Sequence, residues 1–228
     1  MFIGARVNAN PKSGEFWRAR LVLPNYEIRE AARFAHVHST TVARWHKNTT
    51  LGAKEPGTKL SYMQLIELAV AASCKEAGMK LTDIRAARAY FAGAFKTDYP
   101  FATLDLATDG VDLAVKAGAE LLIGNRAGQL AWKRIIGERF KEFDYEGGIA
   151  ARWRVGGSNC PVVIDPKIEF GAPTIGGIPT WALKGHWEAG EAVPDIADDY
   201  GLEERQVVKG LAFEGIDVTT EQRKAWSH

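Results

Sequence analysis

Apolar residues recur at helical spacing in several long segments of the chain. These segments are Tyr26–Lys47, Leu60–Glu76, Leu81–Phe95 and Ile178–Phe213. A period near 3.6 residues indicates amphipathic helices, each with one face in a core. Ser61 and Gln64 have the spacing of a capping box, which places the start of one helix, and Gly78 is expected to end it.

Shorter apolar runs in the middle of the chain indicate strands. They are Phe101–Leu106, Asp112–Val115, Glu120–Ile123, Ala150–Val155 and Pro161–Ile164, and one more helix is predicted over Gln129–Glu142. Short runs bounded by Gly and Asp are typical of strands. The predicted fold class is therefore mainly α with a small β component. It comprises an N-terminal helix-turn-helix, a mixed α/β middle region and a C-terminal tri-helical unit that resembles a helix-turn-helix.

The segment Tyr26–Lys47 has the features of a helix-turn-helix. The small residues Ala31 and Ala32 let a second helix pack closely across the first. His36-Val37 supplies the turn, and Ser39 is predicted to cap the second helix.

In that second helix, Val42 and Trp45 lie three residues apart and are expected to face the core. The opposite side is predicted to contact the phosphates and base edges of double-stranded DNA. The predicted DNA-binding residues are Ser39, Thr40, Thr41, Arg44 and Lys47. The alternative is an ordinary amphipathic hairpin buried in a core.

Charge is distributed unevenly although the net charge is only +1. Residues 1–59 hold ten Lys or Arg and four Asp or Glu, whereas residues 161–228 hold six and twelve. A basic N-terminal region suits a polyanion such as DNA, which would repel an acidic C-terminal region. Chance clustering on solvated faces is the alternative explanation.

A second helix-turn-helix pattern lies in Ile178–Glu214. Thr180 is predicted to cap its first helix, Pro194 fits the first turn of the next, and Gly201 is expected to end that helix in the left-handed conformation. The third helix begins at Glu203-Glu204, whose carboxylates would oppose a DNA backbone. We interpret this unit as a module for protein binding or dimerisation.

These patterns divide the chain into three predicted regions. Residues 1–59 are a basic arm and a DNA-binding helix-turn-helix, 60–160 a middle helical region with short strands, and 161–228 an acidic tri-helical domain with a tail. Residues 1–24 are expected to be irregular, and residues 48–59 a linker or wing-like loop. The Gly- and Pro-rich stretch Pro166–Pro179 is the best candidate for a domain boundary.

The sequence predicts no enzyme, cofactor or metal site. It has no GxSxG, Walker or GxGxxG motif, and Asp195 and Asp199 fit a solvated helix face better than a metal site. Cys74 and Cys160 have no metal-type spacing. Most tryptophans are expected in cores: Trp17, Trp45, Trp132, Trp153, Trp181 and Trp187. The chain has no bilayer-spanning apolar run and no signal peptide, so we expect a cytoplasmic protein without a membrane partner.

The segments EIREAARFAHVHSTTVARW, PFATLDLATDG, GQLAWKRII and AARWR resemble a family of long VapB-type antitoxins. The C-terminal part is similar to a small helical domain of unknown function found beside PIN-domain toxins. The pattern DP…FG.P…G..IPT…GE…IA.DYGL, from Asp165 to Leu202, is the most specific part of this resemblance. In relatives the loop after Gly176-Gly177 is often longer.

The resemblance implies an antitoxin that represses its own operon and neutralises a PIN-type ribonuclease. For that partner, the C-terminal segment EGIDVTTEQRKAWSH is a plausible inhibitory segment. Arg223 or Lys224 would reach an acidic nuclease site, and Trp226 would be an apolar anchor. We expect a homodimer, because helix-turn-helix proteins commonly read two half-sites. The alternative function is a dimeric transcription factor or scaffold without a toxin partner.

Overall fold

A computed structural model describes residues 16–48, 59–103 and 138–218. In its N-terminal part, short helices and strands precede two long helices. They are α1 (Phe16–Arg20), β1 (Tyr26–Glu27), α2 (Ile28–Phe34), α3 (Ser39–Lys47), β2 (Lys59–Leu60), α4 (Tyr62–Glu76) and α5 (Leu81–Phe95). β1 and β2 form a two-stranded antiparallel sheet in which Tyr26 is opposite Leu60.

The C-terminal part contains a sheet followed by three helices. The strands are β3 (Phe143–Glu146), β4 (Ile149–Arg154), β5 (Val163–Ile164), β6 (Pro173–Ile175) and β7 (Ile178–Pro179), and the helices are α6 (Thr180–Glu188), α7 (Val193–Tyr200) and α8 (Glu204–Phe213). The five strands pair in chain order as an antiparallel meander. Short 3₁₀ turns occupy Pro100–Ala102, Phe140–Glu142 and Glu169–Gly171. The predicted fold class, mainly α with a small β component, is confirmed.

Helix α4 lies at the centre of the molecule. Twelve of its fifteen residues are buried, so it meets other elements on all its faces. Its start is the predicted capping box: the Gln64 amide N–H donates to Ser61 Oγ (3.3 Å), and the Ser61 amide N–H donates to Gln64 Oε1 (2.9 Å). Both groups are buried, so the cap also satisfies polar atoms that water cannot reach.

A buried carboxylate ties α4 to the elements around it. Glu67 is fully buried; its Oε2 accepts from Arg88 Nε (2.6 Å) and its Oε1 from the Phe101 amide N–H (2.7 Å). Burial raises the pKa of Glu67 to about 7, although the Arg88 guanidinium opposes this shift. The carboxylate thereby holds α5 and the 3₁₀ turn at Pro100–Ala102 against the central helix.

Among the described residues, the buried apolar side chains form two clusters. The larger runs from Leu21 to Ile175 and joins the N-terminal helices, α4, α5 and the sheet. The smaller runs from Leu183 to Val218 and lies within the three C-terminal helices. The first helix-turn-helix therefore shares its core with the middle of the chain, whereas the second has a core of its own.

Several predicted elements differ in the structure. Phe16–Arg20 is a helix instead of irregular chain, and Pro100–Ala102 is a 3₁₀ turn, followed by a single bridge from Thr103 to Ile149, instead of the start of a strand. The Gly- and Pro-rich stretch contains β6, β7 and the turn before them, because each Gly and Pro there occupies a tight turn or a short strand. The predictions for Asp112–Val115, Glu120–Ile123 and most of Gln129–Glu142 fall outside the described residues.

The N-terminal helices pack directly against the C-terminal unit. The Phe34 and Phe213 rings stack with centroids 5.8 Å apart. Arg33 Nη1 is 3.0 Å from Glu214 Oε2, and Glu214 Oε1 accepts from Thr180 Oγ1 (2.5 Å). Helix α2, in the basic N-terminal region, is therefore in contact with the end of α8, in the acidic C-terminal region.

Candidate nucleic-acid interface

Helices α2 and α3 meet at a tight turn that has a residue in the left-handed conformation. The His36 amide N–H donates to the Arg33 carbonyl (3.3 Å), and the Val37 amide N–H donates to the Ala32 carbonyl (3.0 Å). This pair of bonds is a Schellman motif, which satisfies the last carbonyls of α2. His36 has φ 53°, a conformation that glycine adopts more easily. The predicted turn at His36-Val37 is thus confirmed.

The cap of α3 differs from the prediction by one residue. The N-cap is His38, whose Nδ1 accepts from the Thr40 amide N–H (3.4 Å) and lies 2.8 Å from Thr40 Oγ1. Ser39 is the first helical residue and is half-buried. The prediction that Ser39 is the cap is wrong, because the left-handed turn at His36 brings the chain into the helix one residue earlier.

The inner face of α3 is as predicted. Val42 and Trp45 are almost completely buried, and they pack in the same cluster as Ala31, Ala32 and Phe34. The small alanines of α2 leave room for the Trp45 ring. This packing fixes the rotation of α3, and with it the direction of its opposite face.

The opposite face of α3 presents three of the five predicted DNA-binding residues to solvent. Thr40, Arg44 and Lys47 are exposed and follow one another at intervals of four and three residues, so they form one stripe along the helix. Ser39 and Thr41 are half-buried at the edges of this stripe. Among the described residues, neither Arg44 nor Lys47 has an acidic ion-pair partner, so both charges remain available to an anion.

The sequence did not single out Arg29, which lies beside this stripe. Arg29 is exposed on α2 and lines a groove together with Ser39, Thr40 and Ala43 of α3. Its position on the outer face of α2 was visible in the helical spacing, but its distance to α3 depends on how the two helices pack. At the edge of the groove, Glu27 has a partner in Lys59 (3.1 Å).

The second helix-turn-helix repeats the turn with glycine in the left-handed position. Gly201 has φ 62°, and the Leu202 amide N–H donates to the Ala197 carbonyl (2.8 Å). Pro194 lies in the first turn of α7, as predicted. The cap of α6 is Pro179 instead of Thr180, whose hydroxyl is occupied by Glu214.

The prediction that Trp181 lies in a core is wrong. Its side chain is 62% exposed instead of buried. Helix α6 turns Leu183 toward the core, and Trp181, two residues earlier, points away from it.

One group in the C-terminal unit has the composition of a metal site. The ligand atoms of His186, Glu191 and Asp199 lie within 4.8 Å of one another. Both ring nitrogens of His186 already have neighbours: Nδ1 is 2.8 Å from Glu191 Oε2, and Nε2 is 2.8 Å from the Tyr200 hydroxyl. We interpret the group as a hydrogen-bonded link between α6 and α7. The absence of a metal stays a prediction.

The predicted partner-binding residues Arg223, Lys224 and Trp226 lie outside the described residues. No helix in the ranges 16–48, 59–103 and 138–218 has the length and apolar character needed to cross a membrane.

The structure thus presents Thr40, Arg44 and Lys47 on the exposed face of the second helix of a helix-turn-helix. A family described as "Protein of unknown function (DUF433)" matches residues 162–213, from β5 to the end of α8. The fold is similar to the crystal structure of Rv2018 from Mycobacterium tuberculosis, with a TM-score of 0.74 and 22% sequence identity over 84% of this chain and 99% of that chain. No curated protein matches the chain.

Proposed function

We propose that this protein is the antitoxin of a type II toxin–antitoxin system, which represses its own operon through α3 and neutralises a PIN-type ribonuclease. The observation that carries the DNA-binding part is the exposed stripe of Thr40, Arg44 and Lys47 on a helix whose rotation is fixed by Trp45. Phosphates accept from such cations, and base edges accept from the same side chains. We place this activity in the cytoplasm and assign the protein no catalytic role and no cofactor.

The toxin-binding part of the proposal has separate support. It rests on the resemblance of the sequence to long VapB-type antitoxins and on the acidic, exposed surface of α7, which includes Asp195, Asp198 and Asp199. The exposed Trp181 adds an aromatic side chain of the kind that dominates protein interfaces. Because both are negatively charged, DNA would repel this region, which leaves it available to a protein partner.

The DNA-binding part is tested with the full chain and a duplex that carries the upstream region of its own gene. Arg44→Ala is expected to raise the Kd about tenfold or more and to lower the slope of log K against log salt by about one, because one phosphate or base contact is lost. Lys209→Ala is the matched control: Lys209 occupies the sixth position of α8, as Arg44 does in α3, and should leave binding unchanged. Equal affinities for wild type and Arg44→Ala would show that α3 is not the reading helix.

The toxin-binding part is tested by co-expression with the product of a neighbouring gene for a PIN-domain protein. Wild type is expected to co-purify with it and to inhibit its ribonuclease activity. The triple variant Arg223→Ala, Lys224→Ala, Trp226→Ala should bind and inhibit less. DNA binding without any effect on the ribonuclease would instead favour a dimeric transcription factor or scaffold.

A further inference from the structure

The turn at Glu169–Gly171 holds an aromatic side chain out in solvent. The Phe170 side chain is 71% exposed. Glu169 and Phe170 have φ values of 45° and 53°, both in the left-handed region that disfavours residues with a Cβ. Two successive residues persist in this conformation only where the surroundings impose it.

Contacts from the N-terminal region impose this conformation. Asn25 Nδ2 donates to the Phe170 carbonyl (2.6 Å), and the Tyr26 hydroxyl donates to the Gly171 carbonyl (3.0 Å). A Cβ at Gly171 would overlap the Tyr26 hydroxyl, so this position accepts only glycine. On the other side, Asp165 Oδ1 accepts from the Lys167 amide N–H (2.8 Å). The turn is therefore fixed at both ends and displays Phe170 rigidly.

Other apolar and charged residues surround Phe170. The Arg20 guanidinium lies over the Phe170 ring at 5.2 Å from its centroid. Val22 and Leu23 are exposed in the turn between Arg20 and Asn25, and Ile168 is exposed two residues before Phe170. We call Arg20, Val22, Leu23, Ile168, Glu169 and Phe170 the Phe170 patch. Preorganised aromatic and Arg side chains of this kind are enriched at the centres of protein interfaces.

We propose that the Phe170 patch is the interface through which two copies of this chain form a two-fold symmetric dimer. Such an interface must be complementary to itself. The patch meets this requirement, since it carries the cation of Arg20 and the exposed carboxylate of Glu169, for which the described residues provide no ion-pair partner. In the dimer, Arg20 of each copy pairs with Glu169 of the other, and the two Phe170 rings are buried between them.

Trp181 is another exposed aromatic side chain, and it fits a second copy less well. Trp181 lies in the three-helix region of residues 180–213, which has seven acidic and three basic residues, so two copies would meet there with like charge. The Phe170 patch leaves that region free for a toxin. This interface would supply the homodimer that the sequence predicts, and the inference rests on the proposed function only for the use of that dimer at two DNA half-sites.

The experiment measures self-association of the full chain by sedimentation equilibrium, without DNA or toxin. Wild type is expected to be a dimer, and Phe170→Glu should raise the dimer Kd about thirtyfold or more, as for loss of a central aromatic contact. Arg20→Glu and Glu169→Arg should each weaken the dimer about tenfold by bringing like charges together. Mixing these two variants in equal amounts should restore dimers, because every pair in the mixed dimer is again opposite in charge.

Trp181→Glu is the matched control and should dimerise as wild type does. Unchanged melting temperatures would show that the variants are folded, since all the substituted side chains are exposed. A monomeric wild type, a Phe170→Glu variant that still dimerises, or a mixture that stays monomeric would each overturn the proposal. None of these outcomes bears on Arg44, whose DNA contact is measured separately, so the two proposals can fail independently.

Discussion

The two helix-turn-helix units of this protein share a backbone design and differ in their side chains. In each unit the helix before the turn, α2 or α7, ends in a Schellman motif, whose left-handed residue is His36 in one unit and Gly201 in the other. The helix after the turn, which we call the second helix of the motif, is α3 or α8 and begins two residues after that turn has closed, at Ser39 or Glu204. The shared backbone makes the motif, whereas the side chains determine what each unit can bind.

The inner faces show how differently the same backbone is packed. The seventh residue of the second helix is Trp45 in α3 and Gly210 in α8. Trp45 fills the space above the alanines of α2, whereas Gly210 lets Leu183 approach the backbone so closely that an added Cβ would lie 2.7 Å from its Cδ1. One unit is therefore filled by a large side chain, and the other is held by close contact between elements.

The outer faces differ in charge. The second, sixth and ninth positions are Thr40, Arg44 and Lys47 in α3 but Arg205, Lys209 and Ala212 in α8. Arg205 pairs with Glu203, and α7 adds three exposed aspartates nearby in the chain. A DNA backbone would meet free cations on α3 but a mixed, acidic surface on the second unit. Backbone geometry alone thus does not assign a function to either unit.

Replacement of Trp45 should have the largest effect on the free energy of unfolding. Trp45→Ala is expected to lower the free energy of unfolding by about 3–5 kcal/mol, since it leaves a cavity in the larger cluster, and to abolish DNA binding because α3 loses its fixed rotation. Trp181→Ala, at the exposed tryptophan, should change stability by less than about 0.5 kcal/mol. Urea unfolding of both variants measures the difference. Similar losses of stability in the two variants would contradict the burial of Trp45 and the exposure of Trp181.

Glu214, which links the two units, should have the next largest effect. Glu214→Ala is expected to lower the free energy of unfolding by about 1–3 kcal/mol, because the buried Thr180 hydroxyl loses its acceptor. The exposed Arg33 adds little to this cost. Glu214→Gln keeps an acceptor for Thr180 and should retain most of the stability. If Gln is as harmful as Ala in thermal unfolding, the ion pair with Arg33 is the stronger contact.

Gly210 provides a sharper test of the packing difference. Gly210→Ala is expected to destabilise by up to about 2 kcal/mol, because contact with Leu183 and Ile175 outweighs the better helix propensity of alanine. Gly185→Ala on α6 is the control, since an added Cβ there has no atom within 4 Å. It should stabilise by up to about 1 kcal/mol. Opposite signs in chemical denaturation would confirm the close approach at Gly210.

Substitutions at the left-handed residues should have the smallest effects on stability. His36→Gly is expected to stabilise the protein by about 0.5 kcal/mol, because relief of the left-handed strain exceeds the added entropy of the unfolded chain. Gly201→Ala should destabilise it by about 1 kcal/mol for the same reason in reverse. Differential scanning calorimetry of the two variants compares them. A lower melting temperature for His36→Gly would show that the imidazole makes a contact that offsets the strain.

Much of the fold and of the candidate site could be predicted because the signals are local. The capping box of Ser61 and Gln64, the turn at His36-Val37 and the helix end at Gly201 each depend on residues within a few positions of one another. The stripe of Thr40, Arg44 and Lys47 follows from helical spacing once Val42 and Trp45 are assigned to the core. The exact cap of α3 was missed because it depends on the conformation of the preceding turn.

Other features depend on contacts between distant parts of the chain. Arg33 belongs by sequence to the basic region, yet its partner Glu214 is 181 residues away. The sequence pattern gave α4 one apolar face, but the surrounding elements bury it on every side. Only the packed structure shows the partner of Arg33 and the burial of α4, because the contacting residues come from other elements.

The sequence by itself determined the long helices, the capping box of α4, the two helix-turn-helix units and the uneven charge, since these depend on spacing and composition. Tertiary structure alone decided that α2 packs against the end of α8, that Trp181 faces solvent and that Phe170 is displayed on a strained turn. The physical reason is the range of the interactions. Helix periodicity and capping act within one or two turns, whereas burial and exposure depend on which distant surfaces pack together.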